Sequence, residues 1–517
     1  MCGVGKALAS VWPMDGGLRE SRVDSLLPKT FLSLFFWIRD CKAEDPKFSE
    51  APFFPPKSTM GNQASAEGAA TFTDNDESRA WQRRFQDKIF KWEQGKQSHL
   101  SKPAHRETAG ARSDLGNLCV LAGRANLEEF NDVHELLPSG WIKYQVDGRP
   151  PRPRSGHTVV SIPGRGFVLF GGLSSERGYL ADCALLSNAD GKLTWEPVCI
   201  TGELACARDK HSAVLVPTRA MGCDFDDCDW RMVIFGGFGI MPPKDEYEDE
   251  EEIESEDVNS GNDGSGSSGR ALEVGWFDDA FAIDLNTWYS ARLQNAQTKA
   301  SRPAARAAHS ACWLGDDSKG KMMIFGGRAA TGRLNDTWFL DCASGLWEEQ
   351  ISCGKPPSAR SFHSLNSIAP SHGDPVAVLF GGLDANGVHL NDLHLFDGRT
   401  SSWAQIKVDA PPPCRGCAAS TINSNAKFII FGGSADWDAE KGPTRFFDDA
   451  FELDLSQILT PKDSDPTLEP SDKISKHVKV APHEDAPHEI GNKLNRIKES
   501  HPECEQPPVK KVCFSPA

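Results

Sequence analysis

Arg328 and Arg333 each stand where neighbouring copies of the same sequence unit carry a different kind of residue. A guanidinium is a planar fork of donors that meets a carboxylate in two parallel hydrogen bonds, and it stays charged at physiological pH. Equivalent positions elsewhere supply Lys210, a second type of cation, and Ser361, a hydroxyl donor, while Trp276, Phe238 and Phe362 offer aromatic walls. This set suits holding an anionic group, above all a carboxylate, and it is not equipped to break bonds. The sequence has no phosphate-cradling glycine loop, no nucleophile elbow and no metal-ligand cluster, so no catalytic residue, metal or cofactor is expected.

A repeated unit places these residues. Its plainest copy runs from Arg306 to Trp347: Arg306 and His309 as RxxH, an apolar run ending in Ile324-Phe325-Gly326-Gly327, then Asn335-Asp336, then Trp347. Further double glycines close apolar runs at Gly171-Gly172, Gly236-Gly237, Gly381-Gly382 and Gly432-Gly433, and a degenerate copy reads Leu121-Ala122-Gly123. Acidic or Asn-Asp pairs recur at 131–132, 278–279, 335–336, 391–392 and 448–449, with anchoring tryptophans at Trp141, Trp195, Trp288, Trp347 and Trp403. A period near fifty residues with short strands implies an all-β fold, a six-bladed β-propeller over residues 88–456. The last unit has no tryptophan of its own. Trp92, however, precedes Arg106 by fourteen residues, much as Trp141, Trp195 and Trp347 precede Arg154, Arg208 and Arg360 by thirteen. An N-terminal strand around Trp92 is therefore expected to complete the sixth blade and remove an exposed edge. Because Arg154/His157, Arg208/His211, Arg306/His309 and Arg360/His363 recur in register, they read as structural hydrogen-bonding groups between blades.

Specificity in such a ring belongs to the slots where blades differ. After the glycines stand Arg124, Leu173, Phe238, Arg328, Leu383 and Ser434; two residues before the acidic pair stand Glu129, Trp276, Arg333, His389 and Phe446. Asp209-Lys210 and Ser361-Phe362 follow their RxxH arginines. Like slots repeat around one axis, so these side chains are expected to converge on one mouth.

Composition sets the outer limits. The formal charge of −17 excludes a general nucleic-acid binder, and ten of the acids lie between Asp245 and Asp257. The fifteen cysteines are scattered and no secretory signal opens the chain, which fits a reducing compartment, cytoplasmic or nuclear. Cys414 and Cys417 form a lone CxxC, read as ordinary cysteines and not a zinc site. The longest apolar run, Phe31 to Ile38, is too short to span a bilayer, so no integral membrane segment is expected. Residues 1–80 and 457–517 read as disordered, as does an acidic, Gly/Ser-rich insertion at 242–270. Trp81, Phe85 and Ile89 have the spacing of a short amphipathic helix. Three short motifs sit in the flanks. Leu26-Leu27-Pro28-Lys29 with Phe31, Leu34 and Phe35 is an apolar patch suited to a partner groove. Met60-Gly61-Asn62-Gln63-Ala64-Ser65 has the form of an N-myristoylation signal, which would bring the protein to membranes if translation starts at Met60. Lys510-Lys511-Val512-Cys513-Phe514 resembles the docking motif of protein phosphatase 1 partners, with Val512 and Phe514 as apolar anchors.

The runs Arg208-Asp209-Lys210, Phe235-Gly236-Gly237-Phe238-Gly239, Gly275-Trp276, Gly327-Arg328, Arg333-Leu334-Asn335-Asp336 and Arg360-Ser361-Phe362-His363 resemble the kelch-domain-containing substrate receptors of cullin-RING ubiquitin ligases. The resemblance covers the whole propeller. It implies binding of the extreme C-terminus of partner proteins, with Arg328, Arg333, Ser361, Lys210 and Trp276 at the family's binding positions, and elongin and cullin components as partners. Phe238 stands where the family has tyrosine, Phe362 where it has tryptophan, and Arg124 where it has another tyrosine, departures that bear on the family's preference for a terminal glycine. The family's adaptor-binding helix after the propeller has no apolar counterpart from Ser456 onward. Two readings follow: a ligase substrate receptor, or a kelch interaction scaffold without ligase function.

Overall fold

A computed structural model describes residues 76–95, 101–189, 191–221, 230–242, 273–293, 301–316, 319–368, 375–438 and 442–459. The three flanking motifs, the acidic insertion beyond Pro242, and the expected disorder of residues 1–75 and 460–517 lie outside the described residues.

Six blades form a β-propeller, each built on four antiparallel strands, with a short parallel strand added at the outer edge of blades 2, 3 and 5. Blade 4 shows the pattern: Ser310–Gly315, Gly320–Ala329, Gly332–Asp341 and Leu346–Glu349 in simple meander order. The strand carrying the double glycine is buried along its length, since it faces neighbours on both sides. At the glycines the register slips, between Phe325 and Gly327 in blade 4. Gly326 sits at φ 57, and a Cβ added there would lie 2.8 Å from the Arg360 carbonyl oxygen of blade 5. The notch thus admits the next blade's backbone, which only a residue without a side chain allows cheaply. Blade 1 accepts Ala122 in this place at φ 56, a left-handed alanine that costs about 1–2 kcal/mol.

Blades adhere through aromatic contacts between one outer strand and the preceding blade's Phe-Gly-Gly. Trp347 packs on Phe235 at 4.6 Å between ring centroids, Trp403 on Phe325 at 5.0 Å and Trp141 on Phe431 at 4.7 Å. Trp92 makes the same contact with Phe380 at 5.2 Å. Its strand, Ile89–Gln94, pairs antiparallel with Ala450–Asp454 as the outer strand of blade 6, so the N-terminal closure expected from spacing is present. Three expectations need correction. Residues 76–80 and 457–459, expected to be disordered, belong to the helices Asp76–Arg83 and Ser456–Leu459. Ile89 belongs to the strand Ile89–Gln94 and is 65% exposed; the helix is Asp76–Arg83, with Trp81 and Phe85 buried. Trp288 is not the blade 3 anchor: it lies in the turn at φ 57 beside the Arg165 guanidinium, and Ser290, 1% exposed, takes the register position that Trp347 holds in blade 4. The turn in blade 3 has the same length as that in blade 4, and Trp288 stands two residues early in it, at the position Gly345 holds in blade 4.

No helix among the described residues is long and apolar enough to cross a membrane.

Candidate functional site

Each blade begins with an arginine that is sealed inside it. Arg306 donates from Nε to the Ala304 carbonyl, from Nη1 to the Gly326 carbonyl at 2.9 Å, and bidentately to Asp336 at 2.7 and 2.8 Å. Arg154, Arg208 and Arg360 repeat this with Asp182, Asp279 and Asp392. Arg106 and Arg415 do so with Asp132 and Asp449, although alanine replaces their histidine partner. These arginine side chains bond within their own blade, not between blades as their recurrence suggested. The bridging is done by their carbonyls, which accept the N–H of the preceding blade's second glycine, as Arg306 does from Gly237 at 2.8 Å, and by the histidines. His157 meets the Leu121 carbonyl at 3.1 Å, His211 the Thr158 hydroxyl at 2.8 Å and His309 the Ser212 hydroxyl at 2.7 Å. Burial, then the adjacent arginine, pushes His157 and His363 down to about 3, and holds His211 and His309 well below the usual imidazole value. All four are neutral at pH 7.

Two residues beyond each arginine the chain reaches the propeller axis. Gly156, Lys210, Ala308, Phe362 and Cys417 all stand at φ between 53 and 63. Their amides link blade to blade: Lys210 N–H to the Gly156 carbonyl at 2.7 Å, Ala308 to Lys210 at 2.8 Å, Phe362 to Ala308 and Cys417 to Phe362 at 2.9 Å, and Thr108 to Cys417 at 3.4 Å. Non-glycine residues in this conformation are strained, and the shared ring of hydrogen bonds compensates.

Above the ring, three strands per blade meet in one register. The residue after the arginine pairs with the residue after the double glycine, which pairs with the residue three before the sealed aspartate. The triads are Glu107–Arg124–Glu129, Ser155–Leu173–Tyr179, Asp209–Phe238–Trp276, Ala307–Arg328–Arg333, Ser361–Leu383–His389 and Gly416–Ser434–Phe446. Blade 4 therefore sets two guanidinium-bearing residues directly opposite each other. Arg328 is 7% exposed, and Arg333 Nε donates to Ser361 Oγ of blade 5 at 2.9 Å. On the other flank, Phe238 meets Trp276 edge-on at 5.0 Å and Tyr179 of blade 2 at 6.0 Å. Tyr179 escaped the sequence reading because Ala181-Asp182 breaks the acidic pair used to count slots; the sealed Asp182 marks its position.

Lys210 and Phe362 sit deeper. With Glu107, Arg124, His211 and Cys417 they line an axial cavity of ≈180 Å³ that the blade 4 arginines do not line. The Lys210 ammonium is ion-paired with Asp209, which is 1% exposed. Burial raises the Asp209 carboxyl, opposed by Lys210 and Arg124. Arg124 donates to Glu107 at 3.2 Å, and Glu107 also accepts from the Ser434 hydroxyl at 2.6 Å. Among the described residues no cluster of three metal-ligating side chains forms, and the cysteines, Cys414 and Cys417 included, are free thiols.

This architecture is that of a kelch-repeat β-propeller, a class of protein-interaction module. Residues 265–460 match the KLHDC2/KLHL20/DRC7 Kelch-repeats domain. The chain is 29% identical over 305 residues to kelch domain-containing protein 1 of Mus musculus, covering 57% of this chain and 65% of that protein. It is 25% identical over 306 residues to kelch domain-containing protein 2 of Bos taurus, covering 59% and 67%. Acyl-CoA-binding domain-containing protein 5 of Arabidopsis thaliana is 33% identical over 338 residues, covering 65% of this chain and 44% of that protein. The chain resembles kelch-repeat proteins of the kelch domain-containing protein 1 and 2 type, and its match spans 65% of the length of the first of these relatives.

Proposed function

We propose that the blade 4 side of the mouth holds the C-terminal carboxylate of a partner protein, and that the chain is a substrate receptor presenting that partner for ubiquitin ligation. The observation that carries the binding reading is the direct opposition of Arg328 and Arg333 across one strand pair. Like charges in that position cost about 0.2–1 kcal/mol, a cost that an anion held between them reverses. Each charge-assisted hydrogen bond contributes roughly 1.5–3 kcal/mol. Ser361 orients Arg333, and the Phe238–Trp276 pair with Tyr179 walls the residues preceding the carboxylate. Lys210 serves as a second, reserve cation in this reading, since Asp209 already holds it.

The test is a library of peptides that differ at their C-terminal residues, each as free acid and as C-terminal amide. The amide removes the negative charge and keeps every side chain. Free acids are expected to bind at least about tenfold tighter, the worth of one charge-assisted hydrogen bond. Equal affinity would sink the carboxylate reading. The ligase step stands or falls separately on affinity capture: recovery of a cullin with its elongin adaptors supports it, and their absence leaves a kelch interaction scaffold.

A further inference from the structure

A second groove, of ≈550 Å³, lies between the helix Asp76–Arg83 and the outer strand of blade 5, Ser402–Asp409, and no residue of the mouth lines it. The helix is fixed there by its own sequence. Trp81 and Phe85 enter the core shared by blades 5 and 6, Ser78 Oγ meets Ser402 Oγ at 2.5 Å, and Arg399 pairs with Glu77 at 2.7 Å. With Trp81 committed to the core, Arg79 and Arg83 are left exposed on the helix, and both line the groove. Lys355 and Lys407, also exposed, line it as well, together with Gln82 and Gln405. No aspartate or glutamate is among the lining residues, in a chain whose formal charge is −17.

The floor of this groove is a sheet edge. On its inner side Ser402–Asp409 pairs with His389–Asp397. On its outer side it pairs in parallel with Cys353–Gly354 at Ser402 and Trp403, and with Ile89–Lys91 at Lys407 to Asp409. Between these, among the described residues, no strand covers Ala404, Gln405 and Ile406. An edge of this kind is a template for an added strand, and it spans about 10 Å at the usual rise of a strand.

We propose that this groove takes an extended acidic segment of a partner protein, its backbone along Ala404–Ile406 and its carboxylates against Arg79, Arg83, Lys355 and Lys407. Four cationic side chains and no acidic one line the groove, which favours an anionic occupant, and the open edge between them favours a polypeptide. The site is independent of the carboxylate reading of the mouth.

The experiment uses the full chain and a fluorescein-labelled hexaglutamate peptide with an amidated C-terminus, so that blade 4 is offered no terminal carboxylate. Fluorescence anisotropy is expected to show saturable binding that weakens with salt. It should fall at least about tenfold in Arg83→Glu/Lys407→Glu, whose exposed positions leave the melting temperature unchanged, and should stay as it is in Arg328→Glu. Hexaglutamate carrying N-methylated backbone amides keeps every carboxylate and should bind several-fold more weakly. The proposal is overturned if amidated hexaglutamine binds as well, if Arg83→Glu/Lys407→Glu binds like wild type, or if an oligodeoxynucleotide of equal charge binds more tightly than the peptide.

Discussion

Arg124 in blade 1 and Arg328 in blade 4 occupy the same position in their blades, one residue beyond the glycine notch and in the same three-strand register. Arg124 is flanked by Glu107 and Glu129, whereas Arg328 is flanked by Ala307 and Arg333. Glu107 takes the Arg124 fork at 3.2 Å, and Glu129 accepts from the Ser175 amide and hydroxyl of blade 2 at 2.9 Å. One triad sets its arginine between two carboxylates, and the other sets two arginines side by side at one point of the rim. The residue type in a slot therefore says little by itself; its two register partners decide the electrostatic setting in which an arginine stands.

Dissolving the scaffold that both regions share is the largest perturbation. The four axial histidines bind no proton when folded and do so near pH 6.5 when unfolded, so the unfolded chain takes up more protons below that value. Their contribution is present above pH 6.5 and is lost as pH falls towards 3, by up to about 1.4 kcal/mol per pH unit for each histidine. Asp209, raised by burial, acts in the opposite direction, one group against four. Asp392 is held well below the usual carboxylate range by His394 and Arg360 against the opposing pull of burial, so its stabilisation is present in full above its ordinary pKa of 3.8 and is lost only as pH falls below that value, outside this window. Melting temperature should thus drop steeply between pH 6.5 and 4.5, and His309→Gln should flatten that slope. A melting temperature constant over this window would show that these imidazoles are accessible to protons in the folded state.

Grafting the acids of blade 1 into blade 4 tests the comparison itself. Ala307→Glu/Arg333→Glu gives Arg328 the neighbours of Arg124, and binding of a free-acid peptide should fall more than about a hundredfold, since a built-in carboxylate competes with the ligand and a cation is lost. The same variant should melt no lower than wild type, because repulsion across the strand pair has been replaced by attraction. Retained binding would mean that the carboxylate sits elsewhere. Ser361→Ala, which removes only the hydroxyl that orients Arg333, should weaken binding about three- to tenfold, the worth of one ordinary hydrogen bond. Arg124→Ala should change binding less than about threefold, as befits an ion pair already satisfied by Glu107; a loss equal to that of Arg328→Ala would erase the distinction between the two blades.

By itself the sequence determined the ring. Double glycines, the arginine and aspartate that seal each blade, and the tryptophan that packs on the preceding Phe-Gly-Gly are short-range and periodic, and Trp92 shows that even closure by a distant strand is readable when one copy lacks its own anchor. It also placed Arg328 and Arg333 in unusual slots, because a departure from a repeat is visible along one line of text. Only the tertiary structure decided who faces whom. That Arg333 opposes Arg328 and reaches Ser361, that Glu107 satisfies Arg124 and Asp209 holds Lys210, that Tyr179 joins Phe238, and that Ser290 displaces Trp288 from its expected register all depend on pairing between strands and between blades. A tryptophan that stands two residues early in a turn, or a slot whose marker residue has changed, leaves such pairings unwritten in linear spacing, since register is fixed by hydrogen bonding and packing across the sheet.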